Sequence, residues 1–480
     1  MKDSEKMKRL LYTLTVAAML TSASAKVRLP QIFGNDMMLQ QNANANIWGW
    51  ADKGAKVTIT TSWDKKQKVV VTADSKSGRW KAQIATPQGS FEPQQITISD
   101  GQPVTLGNVL IGEVWFGSGQ SNMEMPLNGF WNCPVENGNA EILGSAKYKG
   151  KLRMATIPKV EAYEPQDTVA GEWKECDPFN APWFSATGYF FIRNLQEVLN
   201  VPVGLINCSW GGSKVEGWTP KHILEQYPDV ATTEEEIKKE SQQYLRPMIM
   251  YNGMLHPLLG YTVRGFIWYQ GCSNVGKHDT YTDRFATMIT NFRKEFGQGD
   301  LPFYYVEVAP YNYGGKDEGA LIREAQYFTQ KKVPNCGMIS INDLAYEYEL
   351  NQIHPCQKQK VGQRLAFMAL NKTYGYTTIE CYGPEYKSME KKDDKIILSF
   401  DYAHDGFNRL TDIKGFEISE NGKDFVKADV EVEQNKRQLI VSANGIKNPT
   451  AVRYCFHDFC VGNMANTRGL PMVPFRTDRK

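Results

Sequence analysis

The sequence predicts an α/β fold, a doubly wound parallel sheet with a β-rich region on either side. Three observations predict it. The 480 residues correspond to about three domains, the middle of the chain alternates apolar strands with amphipathic helices, and both flanks show short alternating strands between turn residues. We therefore expect a leader segment 1–25, an N-terminal β domain 26–108, an α/β domain 109–375 and a C-terminal β domain 376–480.

The two flanking regions have the period of two that is typical of half-buried strands. Gly, Asp, Ser, Asn and Pro separate their apolar runs, which favours turns between them. The predicted strands are Lys56–Thr60, Lys68–Thr72, Trp80–Ile84, Lys395–Phe400, Phe416–Ser419, Gln438–Ser442 and Val452–Phe456.

The middle region repeatedly switches between strand and helix periodicity. Its predicted strands are Val109–Phe116, Val203–Asn207, Gly265–Tyr269, Phe303–Val308 and Met338–Ile341. Helices are predicted over 186–199, 281–297 and 357–370, where apolar residues recur at helical spacing. Because strands joined by helices pair in parallel, this pattern predicts a sheet with helices on both faces.

Charge and cysteine content exclude several classes of protein. Lys and Arg number 55 against 53 Asp and Glu, a net charge of +2, with no basic stripe, so we expect no nucleic-acid partner. The nine cysteines show no zinc-site spacing. No metal or cofactor is predicted.

The N-terminus has the pattern of a secretory signal peptide. Lys6, Lys8 and Arg9 precede an apolar run from Leu10 to Leu20, and the small residues Ala23-Ser24-Ala25 follow it. No other stretch is apolar over the ~18 residues needed to span a bilayer. We expect an exported protein, periplasmic or secreted, without a membrane span.

Three unusual loops follow predicted strands of the α/β region, where open sheets bind ligands. The loop Gly117–Met123 places Ser121 at a helix start, suited to a nucleophile beside outward-pointing N–H groups, although serine is also an ordinary helix cap. The loop after Asn207 contains Trp210, Gly211 and Gly212, whose glycines allow close backbone approach to a substrate, or else form a tight turn.

The third loop, Trp268–Asn274, contains two amides. Gln270 and Asn274 are candidate donors to the same oxyanion, or else are satisfied loop amides. A serine nucleophile also needs a base. Among six histidines, His354 is best placed, because it precedes helix 357–370, which follows the last predicted strand of the α/β region.

The chain resembles a known family, the sialate O-acetylesterases among the SGNH/GDSL-type carbohydrate esterases, over nearly all of the segment after residue 25. The segments that carry the resemblance are Val27–Pro30, Asn46–Trp50, Gly112–Trp115, Gly119–Met123, Ser209–Ser213, Tyr251–Leu258, Ile267–Gly271, Arg323–Gln326, Ile353–Pro355 and Pro474–Thr477. The resemblance implies an SGNH-hydrolase-like fold and an enzyme that removes O-acetyl groups from sugars. It also implies that Ser121 is the nucleophile and His354 the base.

The sequence does not determine which residue orients His354 and stabilises its protonated form. The family commonly has Asp three or two residues before this histidine, where this chain has Asn351 and Gln352. A neutral amide orients an imidazole but does not stabilise its cation. Either a carboxylate of the same loop (Asp343, Glu347 or Glu349) reaches His354, or a Ser–His dyad suffices for an ester, or the site is weak.

The sequence is also compatible with two other functions. One is a deacetylase of acetyl-xylan or another polysaccharide on the same scaffold, with Trp131, Trp210, Trp218 or Tyr313 stacking on sugar rings. The other is a glycan-binding homologue with little or no activity. Asn351 and Cys272 favour it, because each stands where the family often has an acidic residue.

Overall fold

The computed structural model describes residues 26–66, 68–315, 317–409 and 411–479, so the predicted leader segment 1–25 lies outside the described residues. The strands are β1 Met38–Gln40, β2 Asn44–Trp50, β3 Lys56–Thr61, β4 Lys68–Thr72, β5 Arg79–Ala85, β6 Ser90–Ser99, β7 Pro103–Gly119, β8 Leu152–Thr156, β9 Trp173–Glu175, β10 Val203–Ser209, β11 Gly265–Tyr269, β12 Phe303–Val306, β13 Cys336–Ile339, β14 Glu385–Lys392, β15 Lys395–Asp401, β16 Phe416–Ser419, β17 Val426–Lys427, β18 Asp429–Glu433, β19 Gln438–Ser442, β20 Ala451–Tyr454 and β21 Phe475–Arg476. The α-helices are α1 Ser121–Glu124, α2 Gly138–Gly144, α3 Ala186–Leu199, α4 Lys221–Leu224, α5 Glu234–Ile237, α6 His278–Phe296, α7 Glu318–Lys332 and α8 Lys358–Lys372.

A mainly parallel sheet forms the centre of the molecule. Seven of its strands follow the order β13-β12-β11-β7-β10-β8-β9, and along this path β9 alone is antiparallel to its neighbour. The register pairs Gly119 of β7 with Ser209 of β10 on one side and with Tyr269 of β11 on the other. The carboxyl ends of three adjacent strands are therefore level, and the three loops singled out in the sequence start side by side.

Helices cover both faces of this sheet, as the alternating pattern predicted. α3 and α8 pack together on one face, and α6 and α7 on the other. α3 and α8 approach each other very closely at Gly362 of α8, because a Cβ added to this glycine would lie only 2.5 Å from the Cβ of Phe190 on α3. The absence of a side chain at Gly362 thus allows α8, the helix that follows His354, to pack closely against α3.

The flanking β regions connect differently to the centre. β7 is a single strand of 17 residues whose first half pairs antiparallel with β6 and whose second half belongs to the central sheet. Asn108, at the predicted domain boundary, lies inside this strand with φ of 52°. The C-terminal region forms two four-stranded sheets, β14-β15-β19-β18 and β17-β16-β20-β21, around their own apolar core.

The α/β prediction with flanking β regions is confirmed. Strand Gly265–Tyr269 and helix Ala186–Leu199 have the predicted bounds, whereas β7 begins six residues earlier than the predicted Val109. In the described part of the chain, no helix combines the length and apolarity that crossing a membrane requires.

Candidate active site

Ser121 is the first residue of α1, directly beyond the end of β7. Gly119 turns the chain with φ of 137°, and a Cβ there would lie 2.3 Å from the carbonyl oxygen of Tyr269, so only glycine fits. The N–H of Ser121 opens the helix and has no acceptor within it. Among the described residues this N–H donates to no acceptor, so the half-buried side chain of Ser121 stands beside a donor able to bind a developing negative charge.

His354 comes from far down the chain to the same place. Its Nε2 lies 2.8 Å from the Oγ of Ser121, across 233 residues of sequence. Burial, followed by the nearby positive charge of Lys358, lowers the pKa of His354 to about 4. The imidazole is therefore neutral at neutral pH, the state that a general base needs.

Side chains adjacent to Ser121 fasten its loop to the neighbouring loops. The Oε1 of Gln120 accepts hydrogen bonds from the N–H groups of Gly271 (2.7 Å) and Cys272 (2.9 Å). The Nδ2 of Asn122 donates to the carbonyl of Ile353 at 3.0 Å. The nucleophile loop is thereby joined directly to the loop that carries His354.

Lys358, at the first position of α8, completes this connection. Its Nζ donates to the Oδ1 of Asn122 and to the carbonyl of Pro355, each at 2.7 Å. The side chain is buried, and burial lowers the pKa of Lys358 to about 7 although Glu349 opposes the shift. A lysine buried beside the base is thus part of the site.

Gly211 of the second loop lies against Ser121, and its N–H group differs in its partner from that of the neighbouring Gly212. Gly211 donates its N–H to the Oε2 of Glu124 at 2.5 Å, and a Cβ on Gly211 would lie 3.3 Å from the Cβ of Ser121. Gly212 adopts φ of 79°, and among the described residues its N–H donates to no acceptor. The geometry favours Gly212 over Gly211 as an oxyanion donor.

Trp210, Gln270 and Asn274 are occupied elsewhere. Trp210 is buried in the core beneath the loop. The Nε2 of Gln270 donates to the carbonyl of Ser213 (3.0 Å) and to Asn274 Oδ1 (2.8 Å). Asn274 in turn donates its Nδ2 to Glu216 at 3.0 Å. Both amides therefore hold neighbouring loops together, and among the described residues neither hydrogen-bonds to Ser121.

The residues expected to assist His354 have other partners in the structure. Asp343 forms a two-pronged pair with Arg364 at 2.7 and 2.6 Å. Exposed Glu347 lies 3.5 Å from Lys414. Asn351 accepts from Asn312 at 3.1 Å, and Glu349 accepts the N–H groups of Tyr346 and Cys356. Within the described chain none of these side chains hydrogen-bonds to His354.

The side chain beside Nδ1 of His354 is instead a thiol. The Sγ of Cys133 lies 3.7 Å from this nitrogen. Cys133 belongs to a turn closed by two hydrogen bonds of 2.9 Å between the backbones of Phe130 and Cys133. The ring of Phe130 meets the imidazole edge-to-face with 5.3 Å between centroids. This turn therefore packs against the base on two sides.

The aromatic side chains considered for sugar stacking fall into two groups. Trp218 is fully buried and donates its Nε1 to Ser213, and Tyr313 donates its hydroxyl to Cys272 Sγ. Trp131, at the tip of the Phe130–Cys133 turn, is 91% exposed. Of these four side chains, Trp131 is the exposed one, and it directly follows Phe130, whose ring contacts His354.

Sequence reasoning missed several of these residues. Asn122 and Lys358 could have been proposed from the sequence, because Asn122 directly follows Ser121 and Lys358 comes one helical turn after His354. Nothing in the sequence pointed to Glu124 or Cys133, whose contacts depend on how separate loops fold together. Together these residues hold a serine against a neutral imidazole, an arrangement suited to nucleophilic attack on an ester.

Comparison with known proteins agrees with this chemistry. Residues 112–371 match the family model described as carbohydrate esterase, sialic acid-specific acetylesterase. The sialate O-acetylesterases of Homo sapiens and Mus musculus are 29% and 28% identical over 430 and 462 residues, covering 83% and 85% of this chain and 81% and 84% of theirs.

A solved structure extends the likeness to the whole fold. The crystal structure of a carbohydrate acetylesterase from Xanthomonas citri superposes with a TM-score of 0.84 at 30% identity, covering 95% of this chain and 100% of that one. The chain belongs to the carbohydrate esterase family of sialic acid-specific acetylesterases, and it is a carbohydrate O-acetylesterase.

Proposed function

We propose that Ser121 is the nucleophile and His354 the general base, and that the substrate is an O-acetylated sugar, with acetylated sialic acid as the first candidate. The observation that carries the assignment is the 2.8 Å contact between Ser121 Oγ and His354 Nε2. The sialate O-acetylesterases among the relatives support the choice of sugar.

The mechanism follows from the positions of the donors and the base. His354 Nε2 takes the hydroxyl proton while Ser121 Oγ attacks the acetyl carbonyl carbon. The resulting oxyanion accepts from the N–H groups of Ser121 and Gly212. The protonated imidazole then gives its proton to the departing sugar oxygen. Water attacks the acetyl-serine while His354 takes its proton, and the imidazolium returns a proton to Ser121 Oγ as acetate leaves.

Ser121→Ala tests this assignment. We expect acetate release from p-nitrophenyl acetate and from acetylated sugar to fall about 10⁴-fold or more, while the thermal transition stays unchanged. Ser209→Ala is a matched control, since Ser209 is a buried serine at the adjacent strand end whose hydroxyl bonds to Asn207. Turnover retained by the Ser121 variant overturns the assignment.

A panel of acetylated glycans tests the substrate. Acetate is quantified from 9-O-acetylated sialic acid, acetylated xylan and acetylated glucose at equal ester concentration. We expect the highest kcat/KM on the sialic acid. A preference for xylan contradicts the proposed sugar while leaving the serine mechanism intact.

We also propose that the protein is exported. The proposal rests on the charged, apolar and small-residue pattern of residues 1–25. Cell fractionation with N-terminal sequencing of the purified protein tests it. A protein found in the cytosol with residues 1–25 intact contradicts it.

A further inference from the structure

The ring nitrogen of His354 that faces away from Ser121 contacts a thiol where a carboxylate is usual. Its distance to Cys133 Sγ is 3.7 Å, within the range of N–H···S hydrogen bonds. The carboxylates of the surrounding loop are engaged with other partners, as described above.

Gln352 determines the direction of the hydrogen bonds around the thiol. Its Nε2 donates to the carbonyl of Asn132 at 3.4 Å, and its Oε1 accepts the backbone N–H of His354 at 3.2 Å. The same Oε1 lies 3.3 Å from Cys133 Sγ. Because an amide oxygen only accepts, the thiol must be the donor in this contact.

The sulfur can then serve only as an acceptor toward His354. With its proton directed to Gln352, Cys133 presents lone pairs to Nδ1, which favours a proton on that nitrogen. Nε2 is left as the acceptor for the Ser121 hydroxyl. The chain of donors from Ser121 through His354 and Cys133 to Gln352 has one consistent direction, and it selects the tautomer that a general base needs.

We propose that Cys133, supported by Gln352, is the positioning residue for His354 and occupies the place of the acid in a Ser–His–acid triad. This inference rests on the proposed function of Ser121 and His354. The closed Phe130–Cys133 turn holds the thiol in place, and the edge of Phe130 restricts rotation of the imidazole.

A neutral thiol differs from a carboxylate in one respect that can be measured. It orients the imidazole but adds no negative charge to stabilise the imidazolium. His354 therefore keeps a pKa of about 4, set by burial and Lys358. A carboxylate at the same position would raise the pKa of His354, because an opposite charge within hydrogen-bond distance favours the charged form.

Three variants of the full-length enzyme test the proposal, assayed with p-nitrophenyl acetate from pH 3.5 to 9. We expect Cys133→Ala to lower kcat about 10- to 100-fold with little change in KM, since the tautomer and orientation are no longer selected. Cys133→Ser should retain kcat within about 3-fold, because a hydroxyl also donates to Gln352 and accepts from Nδ1. Cys133→Asp should move the acidic limb of kcat/KM to higher pH.

The control is Cys336→Ala, which removes another half-buried thiol. Cys336 is the first residue of β13 and so lies at the amino end of the parallel strands, whereas Ser121 follows the carboxyl end of β7. It should leave kcat and the pH profile unchanged. The proposal is overturned if Cys133→Ala keeps the wild-type kcat, or if Cys133→Asp folds and keeps the wild-type pH profile. Either result leaves the role of Ser121 intact, whereas an active Ser121→Ala overturns the proposed function itself.

Discussion

The ammonium group of Lys358 lies 2.7 Å from the side-chain oxygen of Asn122, the residue that directly follows Ser121. The same ammonium group binds the carbonyl of Pro355, next to His354. One buried side chain thus contacts the loop of the nucleophile and the loop of the base. It places a positive charge close to the imidazole and resists protonation of that ring.

The pH dependence of the enzyme should report this charge. Protonated His354 cannot act as a base, so kcat/KM should fall as the pH drops through about 4, the pKa of His354. Lys358→Gln keeps a donor for Asn122 but removes the charge. Without that repulsion the pKa of His354 should rise, and the acidic limb should move to higher pH.

In Lys358→Gln the pKa of His354 should still lie below the ordinary histidine value of ~6.5, because burial is the larger cause of the lowered pKa. Lys360→Gln is the control, since Lys360 is an exposed lysine two residues further along the same helix. An acidic limb that is identical in wild type and Lys358→Gln shows that the charge of Lys358 does not act on the base.

Asn122 should position the base without touching substrate. Asn122→Ala removes the donor to Ile353 and the acceptor for Lys358, which loosens the His354 loop. We expect kcat to fall about 10- to 100-fold with KM nearly unchanged, because small displacements of a catalytic group are costly. Kinetics on p-nitrophenyl acetate with thermal unfolding in parallel measure both effects.

Thr187→Val is the matched control for Asn122→Ala. The hydroxyl of Thr187 is also buried and donates to the backbone carbonyl of Asn122 at 3.1 Å, but it does not reach the His354 loop. It should therefore lower stability without a selective loss of kcat. Equal losses of kcat in both variants contradict a specific positioning role for the Asn122 amide.

The sequence predicted the fold well because its signals are local. Alternating and helical periods are properties of short segments, so Gly265–Tyr269 and Ala186–Leu199 were predicted with the bounds observed. Ser121 and His354 were found because each belongs to a recognisable segment next to a strand or helix end, and the parallel sheet gathers such ends along one edge.

The parts of the site that sequence reasoning assigned differently depend on long-range contacts. Gln270 and Asn274 are chemically suitable oxyanion donors, but in the structure they donate hydrogen bonds to Ser213 and Glu216. Asp343 has the right charge for an acid partner and the right loop, yet Arg364 on α8 binds it. A sequence pattern does not show which of several suitable partners a side chain meets.

Trp131 should contribute to binding of the sugar and not to the chemistry. Its ring is 91% exposed on the turn that packs against His354, and an aromatic face contributes about 0.5–1.5 kcal/mol when it stacks. Trp131→Ala should therefore raise KM for an acetylated sugar about 3- to 10-fold, leaving kcat/KM for p-nitrophenyl acetate nearly unchanged. Trp63→Ala, on the N-terminal β region, is the control, and a loss on both substrates contradicts a role confined to the sugar.

Gly212 should be required for stabilisation of the oxyanion. It has φ of 79°, and a Cβ there would lie 2.4 Å from the ring of Tyr244. Gly212→Ala should displace the N–H from the reacting carbonyl and lower kcat about 10²- to 10³-fold, the usual cost of losing one such donor. Gly276→Ala separates this effect from backbone strain alone, because Gly276 has φ of 86° and no atom of the described residues lies within 4 Å of a Cβ placed there. We expect Gly276→Ala to be less stable but fully active in the folded state. The double variant Gly212→Ala/Tyr244→Ala should recover part of kcat, because the ring of Tyr244 no longer pushes the loop away. If Gly212→Ala keeps the wild-type kcat, the oxyanion is bound by Ser121 and other groups, and Gly212 serves only to turn the chain.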